Sequence, residues 1–320
     1  FISYEMWKFL LIILAVVLAI FFKGDVDLPV SFLPYEEKGA FAGKVVWITG
    51  ASSGIGAALA EDMVKAGAAV IISARRLSKL EEVADSCAKF GDRPFVLPFD
   101  VTDFEAHTVA VDTVLSKFGH VDNFVLNAGM SQRNTAMDTD LTVTQELMQL
   151  NFMSIVSLTK LVLPTMIARK EGQLVVTSSL SGIIGTPLGS SYSATKFALH
   201  GYFNALRAEV AKDGISVLLV CPGPVESEIS SKAYRNPALP KSTEENKMPT
   251  SRCTHLMAKA MYYKLMEVWI ADQPLLFMTY IAQYMPTASN LLFAKVLGPA
   301  RVRALQTGGN VYDVKAMFTK

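Results

Sequence analysis

From residue 43 onward, short runs rich in β-branched residues alternate with longer segments of helical periodicity. The predicted strands are Val45–Thr49, Val70–Ser73, Phe95–Pro98, Asn123–Asn127, Gln173–Thr177 and Ser216–Val220, with a short seventh candidate at Glu267–Ala271. Helices are predicted near 55–66, 77–89, 103–118, 142–169 and 191–212. Continuous apolar runs joined by helices are typical of parallel strands buried on both faces. We therefore expect an α/β fold with a doubly wound parallel sheet, whose ligands gather at the carboxyl ends of the strands.

The first predicted strand runs directly into a glycine-rich loop. Gly50, Gly54 and Gly56 follow Val45–Thr49 in a Gly-x3-Gly-x-Gly spacing, and a predicted helix begins there. Glycines permit a tight turn and let a pyrophosphate approach the backbone at a helix N-terminus. Because this spacing is a variant of the Gly-x-Gly-x-x-Gly fingerprint, the loop alone is weak evidence for a dinucleotide site.

The end of the second predicted strand bears on the choice of dinucleotide. An acidic side chain at this position holds the ribose 2′-hydroxyl of NAD, whereas arginine suits a 2′-phosphate. Here the strand ends without an acid and is followed by Arg75 and Arg76. We therefore predict NADP(H) rather than NAD(H), the alternative being that the two arginines merely begin a solvated helix.

A tyrosine and a lysine stand four residues apart on the last long predicted helix. Tyr192 and Lys196 are thus expected on the same helix face. A phenol has a pKa near ~10, and a neighbouring ammonium favours the phenolate and lowers that pKa. Ser179 could hydrogen-bond the same substrate oxygen. Together with the glycine loop, these residues predict hydride transfer between a nicotinamide dinucleotide and a carbonyl or alcohol.

Charge and composition argue against several other classes of protein. The net charge of +1 gives no electrostatic footprint for nucleic acid. Three widely spaced cysteines indicate neither a disulfide framework nor a metal site, and the four histidines form no zinc motif. We therefore expect no nucleic-acid partner and no metal.

A hydrolase is the rival enzyme class, since Gly50–Gly54 also matches the Gly-x-Ser-x-Gly elbow. It would use Ser52 as nucleophile with a downstream aspartate and a histidine, His200 or His255. This reading leaves Gly56 and the tyrosine–lysine pair unexplained. A Ser-x-x-Lys match at Ser193–Lys196 lacks its companion motifs.

The N-terminal segment is apolar without interruption from Phe9 to Phe22, fourteen residues flanked by Lys8 and Lys23. As a helix it would span roughly 21 Å, short of a hydrocarbon core of ~30 Å. Trp7 and the two lysines could extend it into the membrane interfaces. Because no small-x-small cleavage site follows, we favour a retained anchor over a signal peptide. Residues 1–42 are thus predicted as anchor and linker, of open orientation, and residues 43–320 as the folded domain.

Two C-terminal segments are expected to shape the substrate site. Residues 224–250 contain prolines and a polar run at 241–247, which suggests a mobile lid. Within a hydrophobic helical tail at 272–320, Leu275–Met285 and Leu291–Leu297 are apolar, and the first is too short to span a bilayer. The tail is expected to dip into a membrane or to line the entry path of a lipophilic substrate. A dimer interface or an extension of the core is the alternative.

Taken together, the motifs resemble the short-chain dehydrogenase/reductase family over roughly residues 43–228. The matching segments are Thr49–Gly56, Asp100-Val101, Asn127–Gly129, Asn151, Ser179, Tyr192–Lys196 and Pro222–Val225. The resemblance implies a Rossmann-like fold with Tyr192 as general acid–base and Lys196 tuning it and binding the nicotinamide ribose. It further implies that Ser179 positions the substrate oxygen and that Asn151 supports a water-mediated proton path to Lys196.

The resemblance also implies the cofactor contacts. Asp100 and Val101 are expected by the adenine, Asn127 by the adenine-side ribose and the sheet, and Val225 and Ser227 by the nicotinamide. The family often has threonine where Ser227 stands, and the hydroxyl is kept. With Arg75, the expected cofactor-binding set is Gly50, Ser52, Ser53, Gly54, Ile55, Gly56, Arg75, Asp100, Val101, Asn127, Tyr192, Lys196, Val225 and Ser227.

Further segments resemble a membrane-anchored subgroup of this family. They are Met130–Arg133, Thr250–Cys253, Glu267–Ile270 and Gln283–Thr287, together with the apolar N-terminus. This resemblance implies an endoplasmic-reticulum membrane reductase of retinoid, steroid or xenobiotic carbonyls, and the family commonly forms homo-oligomers. An NAD-dependent alcohol dehydrogenase and a non-catalytic dinucleotide sensor are the alternatives.

Overall fold

The structure, a computed structural model, describes residues 7–8, 24–229, 231–240 and 247–310; the predicted anchor at Phe9–Phe22 lies outside the described residues. The strands are β1 Val45–Thr49, β2 Ala69–Ser73, β3 Phe95–Val96, β4 Asn123–Leu126, β5 Gln132–Arg133, β6 Gly172–Thr177, β7 Ile215–Pro222, β8 Tyr234–Arg235 and β9 Glu267–Ile270. The helices are α1 Leu28–Ser31, α2 Gly54–Lys65, α3 Leu77–Cys87, α4 Phe104–Phe118, α5 Leu141–Met148, α6 Ser154–Arg169, α7 Ser190–Val210, α8 Thr250–Tyr262, α9 Leu275–Tyr284, α10 Pro286–Leu292 and α11 Gly298–Thr307.

Seven strands form one parallel sheet in the order β3-β2-β1-β4-β6-β7-β9, which confirms the predicted Rossmann-like architecture. The direction in which the strands are added reverses between β1 and β4. In open α/β sheets a crevice forms at this switch point, outside the carboxyl ends of the strands. The topology therefore places the ligand site beside the glycine loop. The strands β5 and β8 form a separate parallel pair.

The two faces of the sheet carry separate hydrophobic clusters because successive strand side chains point in opposite directions. In β1, Val46 and Ile48 pack in a cluster with residues of α2 and α8. Val45 and Trp47 pack in the other cluster, with residues of α4, α6 and α7. Every residue of β1 is buried, as expected for a strand with helices on both faces.

The single helix predicted near 142–169 is observed as α5 and α6, joined by a π-helical segment at Gln149–Met153. It is long and apolar enough, by length and composition, to cross a membrane, and no other helix among the described residues passes this test. One side of it packs in the core through Ile155, Leu158 and Val162. A helix that packs one side in the core can have the same composition.

Residues of the predicted linker pack against the domain. Val26 forms an antiparallel bridge with Ile270 of β9, and the backbone N–H of Trp269 donates to Asp27 Oδ2 at 2.7 Å. The side chains of Val26 and Phe41 are almost fully buried. Asp25, Val26 and Asp27 therefore cover the edge of the sheet at β9, while Phe41 packs against Tyr262.

Candidate active site

A cleft of about 370 Å³ opens at the carboxyl ends of β1, β4, β6 and β7. It is bordered by the glycine loop on one side and by α7 on the other. The predicted site residues that line it are Gly50, Ser52, Ser53, Gly54, Ile55, Arg75, Asp100, Val101, Asn127, Ser179, Tyr192, Lys196, Val225 and Ser227. Gly56 and Asn151 do not line the cleft: Gly56 lies against Gly50 and Asn127, and Asn151 hydrogen-bonds Met130 and Thr195.

Three glycines fit the loop because side chains would collide there. Gly50 has a φ of +67°, and a Cβ on it would lie 2.7 Å from Ala128 Cα. A Cβ on Gly56 would lie 2.5 Å from Gly50 O, so the helix could not pack this closely against the loop. Gly54, with a φ of +57°, approaches Ser227 in the same way. The loop is thus held close to β4 and to the segment after β7.

Asn127 connects the loop to β4. Its Nδ2 donates to Thr49 O at 3.2 Å and to Gly50 O at 3.3 Å, and its backbone N–H donates to Thr49 Oγ1 at 3.1 Å. The Asn127 side chain therefore fixes the carbonyls at the end of β1. Ser53, the residue before α2, makes no side-chain cap. The first N–H groups of α2 are thus left to other acceptors, as suits a pyrophosphate.

Two arginines stand at the far end of the cleft. Arg76 donates from Nη2 to Ser52 Oγ at 3.3 Å and lies 3.5 Å from a Glu228 carboxylate oxygen. Arg75 is about two-thirds exposed and lies 3.7 Å from Asp100. A hydrogen bond from Lys232 lowers the pKa of Glu228 to about 2, so this carboxylate is ionised at neutral pH. Arg76, absent from the predicted set, is the arginine in contact with the glycine loop.

Lys196 is almost fully buried beneath the cleft. Its Nζ donates to Thr177 O at 2.8 Å and lies 5.7 Å from the centroid of the Tyr192 ring. Burial lowers the pKa of Lys196 from 10.5 to about 8. At neutral pH the ammonium therefore remains the main form, held one helical turn from the phenol as the four-residue spacing predicts.

The buried ammonium is expected to lower the stability of the protein without cofactor. A lysine pKa lowered by folding means that the penalty is full below pH 8 and disappears as the pH rises from about 8 to 10.5. Lys196→Met should therefore raise the free energy of unfolding at pH 7 by up to about 3 kcal/mol, less what the lost bond to Thr177 contributes. The gap between variant and wild type should narrow above pH 8.

Urea unfolding of the cofactor-free protein at several pH values would measure this gap. Lys160→Met, at an exposed position of α6, is the matched control and should show no such dependence. A gap that stayed constant up to pH 10 would contradict the assigned burial of the charge.

Asn151 lies in the π-helical segment and is fully buried. Its Nδ2 donates to Met130 O at 2.9 Å and to Thr195 Oγ1 at 3.1 Å, while its Oδ1 accepts from Met130 N at 2.9 Å. A Cβ on Gly129 would lie 3.1 Å from Asn151 Oδ1 and 3.8 Å from Lys196 Nζ. Asn151 therefore ties the loop after β4 to α7, close to Lys196.

Ser179 lies between the cleft and a second, adjoining pocket. Its Oγ accepts from Ser181 N at 3.1 Å and donates to Pro222 O at 3.3 Å, at the ends of β6 and β7. Tyr192 lines both cavities as well. The two side chains thus border the space that connects them.

Gln132 is a positioning residue that the sequence reasoning missed. Its Oε1 accepts from the backbone N–H groups of Ser191 at 2.9 Å and Tyr192 at 3.3 Å. Gln132 therefore takes the capping role at the first turn of α7, whose N-cap, Gly189, has no side chain to supply it. Only the fold reveals this contact, because no sequence spacing relates β5 to α7.

The adjoining pocket, about 130 Å³ in volume, is walled by the C-terminal tail. Leu275, Met278, Phe293 and Leu297 face it together with Ser179 and Tyr192. The tail thus lines a pocket next to Ser179 and Tyr192. Its expected role in lining the entry path of a substrate stays a prediction. After β7, the chain is tied down by hydrogen bonds of 3.0 Å from Glu226 N to Met248 O and from Met248 N to Pro224 O. Residues 241–246 of the predicted lid lie outside the described residues.

The residues of a hydrolase triad are not brought together. Ser52 accepts from Arg76, whereas His200 Nε2 lies 3.0 Å from Ser178 Oγ and His255 packs edge-on against Tyr35. Neither histidine lines the cleft that contains Ser52. Among the described residues, no group of three or more His, Cys, Asp or Glu side chains could hold a metal ion.

Comparisons with known proteins agree with this geometry. A family model described as short chain dehydrogenase matches residues 44–238. The chain is 41% identical, over 96% of its length and 95% of the relative's, to human dehydrogenase/reductase SDR family member 7. It is 34% identical, over 79% of its length and 80% of the relative's, to mouse member 7B. These relatives confirm the family and the resemblance to its member 7.

Solved structures show the same fold. A short-chain dehydrogenase from Streptomyces avermitilis is 30% identical with a TM-score of 0.67, covering 79% of this chain and 97% of that chain. An alcohol dehydrogenase from Thermococcus sibiricus, complexed with 5-hydroxy-NADP, is 24% identical with a TM-score of 0.63. The match covers 72% of this chain and 97% of that chain. A short-chain dehydrogenase/reductase from Burkholderia phymatum, in complex with NAD, is 22% identical with a TM-score of 0.69. The match covers 78% of this chain and 96% of that chain. At 24% and 22% identity, the last two structures show only that the fold is shared.

Proposed function

Because the chain belongs to the short-chain dehydrogenase family of oxidoreductases, which bind nicotinamide dinucleotides, we propose that it transfers hydride between NADP(H) and a lipophilic carbonyl or alcohol. One observation carries the proposal. Ser179 and Tyr192 border both the cleft beside the glycine loop and an apolar pocket, with Lys196 buried beneath the cleft. Dinucleotide and substrate can therefore meet at the phenol.

The glycine loop and the free first turn of α2 fit a pyrophosphate, and the cofactor supplies the hydride when it is bound. Tyr192 donates a proton to the carbonyl oxygen in reduction and accepts it back in oxidation. The Lys196 ammonium stabilises the phenolate that proton donation leaves behind. Ser179 hydrogen-bonds the same oxygen and holds it beside the phenol. Asn151 holds the loop after β4 in a fixed position relative to α7 and lies on the proposed proton path to Lys196.

Arg76 supports the choice of NADP(H). It lies at the loop, in contact with Ser52, where the 2′-phosphate of a bound NADPH would find a guanidinium. Arg75 and Asp100, at the same end of the cleft, are proposed to flank the adenine ribose and the adenine. An NAD-dependent alcohol dehydrogenase remains the second candidate, since the Glu228 carboxylate also pairs with Arg76.

Arg76→Ala is expected to raise KM for NADPH by roughly 10- to 100-fold, because a charge-assisted contact contributes about 1.5–3 kcal/mol. KM for NADH should change little, since NADH lacks the 2′-phosphate. Steady-state kinetics with both cofactors measure this, and Lys79→Ala removes a positive charge on α3 outside the cleft as a control. An equal loss with NADH and NADPH would contradict the assigned role.

The apolar wall formed by Leu275, Met278 and Phe293 favours small lipophilic substrates, and we propose retinoid, steroid or xenobiotic carbonyls. A location at the endoplasmic-reticulum membrane rests on the apolar run before residue 24 and on the exposed Tyr284, Met285 and Leu291 of the tail. Homo-oligomerisation is proposed from the exposed Met153 and Phe197 on neighbouring helices.

The first experiment is oxidation of NADPH against NADH with retinal, a steroid ketone and a quinone, followed by the loss of the reduced-nicotinamide absorption. Turnover with NADPH would establish the reaction and the cofactor. Tight NADPH binding without turnover of any member of the panel would favour the non-catalytic sensor instead.

A further inference from the structure

The pocket beside Ser179 and Tyr192 contains two arginines. Arg133 and Arg301 line it, and the remaining described lining residues are apolar, glycine or hydroxyl-bearing, with no aspartate or glutamate among them. A guanidinium that faces a pocket can bind an anionic group of a ligand. The presence of Arg133 and Arg301 therefore bears on the chemical class of the substrate.

Arg301 is held in the pocket by the packing of α11. It stands one turn after Leu297, which lines the pocket, and one turn before Leu305, which packs against Leu188. Residues four apart share a helix face, so this face as a whole is turned inward. Arg301 is 9% exposed and Leu297 is 2% exposed. The hydrophobic contacts of Leu297 and Leu305 thus turn the helix face that carries Arg301 towards the pocket.

Arg133 is positioned by the two-stranded sheet of β5 and β8, next to the start of α7. It belongs to β5, which pairs with β8, and its Nη1 donates to Gln132 O at 3.3 Å. Gln132 in turn accepts from the backbone of Tyr192. Arg133 is therefore adjacent in sequence to Gln132, whose side chain positions the start of α7.

A guanidinium carries five N–H donors, so an arginine that already contacts its own chain can also bind an anion. Its planar fork matches a carboxylate, and the attraction is strengthened where apolar walls exclude water. Here Leu275, Met278 and Phe293 supply such walls. The pocket thus combines an apolar surface for a hydrocarbon with positive charge for one anionic group.

We propose that Arg133 and Arg301 bind a carboxylate of the substrate, whose carbonyl lies at Ser179 and Tyr192. The substrate is then an amphipathic oxo acid, with the hydrocarbon between its two polar ends packed against the tail helices. This inference rests on the proposed function, which it narrows from lipophilic carbonyls in general to those that carry an acid.

The kinetic test uses the full chain with a series of ω-oxo fatty acids of increasing length, each against its methyl ester, which keeps the aldehyde and removes the charge. At the length that spans the pocket, kcat/KM for the acid should exceed that for the ester by roughly 10- to 100-fold. Arg301→Met and Arg133→Met should each reduce this ratio towards one. Arg303→Met, an exposed arginine of the same helix, should keep the wild-type ratio. A ratio near one in the wild type at every length, or one unaffected by both pocket variants, would overturn the proposal.

A binding measurement separates this inference from the proposed function. Titration calorimetry with laurate and methyl laurate needs no turnover, and laurate should bind the wild type more tightly, with the advantage lost in Arg301→Met. Laurate binding that depends on Arg301, in a protein that reduces no aldehyde, would retain the carboxylate site and refute the proposed reaction. Reduction of aldehydes without any preference for the acid would refute the carboxylate site alone. Thermal melting of each variant excludes loss of folding as the cause.

Discussion

Replacing Tyr192 with phenylalanine is expected to lower kcat for carbonyl reduction by roughly 10²- to 10⁴-fold, the usual contribution of a positioned general acid. The variant keeps the ring that packs at the start of α7 and loses only the hydroxyl. Because the glycine loop and Lys196 are untouched, the dissociation constant of NADPH should change by less than about threefold. Stopped-flow reduction of a carbonyl and fluorescence titration of NADPH measure the two quantities.

Tyr202→Phe is the matched control, since it removes a hydroxyl from the same helix at a position that does not line the cleft. It should leave kcat close to the wild-type value. Full activity of the Tyr192 variant would refute the role of the phenol. Loss of NADPH binding in that variant would instead show that the hydroxyl acts on the cofactor and not on the proton.

Gly56→Ala is expected to weaken NADPH binding by at least about tenfold. The added Cβ would lie 2.5 Å from Gly50 O and 2.6 Å from Asn127 Nδ2, so the loop, the helix or the Asn127 bridge must move. Forcing an extra carbon into a packed position typically costs about 1–3 kcal/mol. A lower melting temperature and a raised dissociation constant for NADPH should therefore appear together.

Gly201→Ala provides the opposite control. Gly201 lies inside α7, and apart from its chain neighbours and its own helix backbone no atom lies within 4 Å of a Cβ built on it. Alanine there should stabilise the protein by about 0.5–1 kcal/mol through helix propensity and leave cofactor binding unchanged. If both substitutions had the same effect, the close approach at Gly56 would not be what makes glycine necessary there.

The elements of the fold were accessible from the sequence because their signals are local. Apolar β-branched runs located all seven strands of the main sheet, and only the ends shifted; β3, for example, is limited to Phe95–Val96. The four-residue spacing of Tyr192 and Lys196 fixed their common helix face. The same periodicity could not show the π-helical segment around Asn151, because that irregularity depends on packing against the loop after β4.

The cofactor contacts were accessible only in outline. Two adjacent arginines predicted a basic site after β2, yet which of them reaches the loop depends on the turn that leads into α3. The structure brings Arg76 to Ser52 and turns Arg75 towards Asp100. Side-chain direction at a strand end is decided by tertiary neighbours, here Asp100 and Glu228.

The sequence by itself determined the family and the sheet, and residue type and spacing along one or two neighbouring elements predicted the glycine loop and the pair Tyr192 and Lys196. The prediction of Asn151 and the roles of the site residues came from the resemblance to the family. Only the tertiary structure decided what surrounds them: the capping of α7 by Gln132, the desolvation of Lys196 and the pocket wall formed by the tail. Those features join segments tens to more than a hundred residues apart. Contacts of that range arise when hydrophobic faces pack, and a local pattern does not encode their partners.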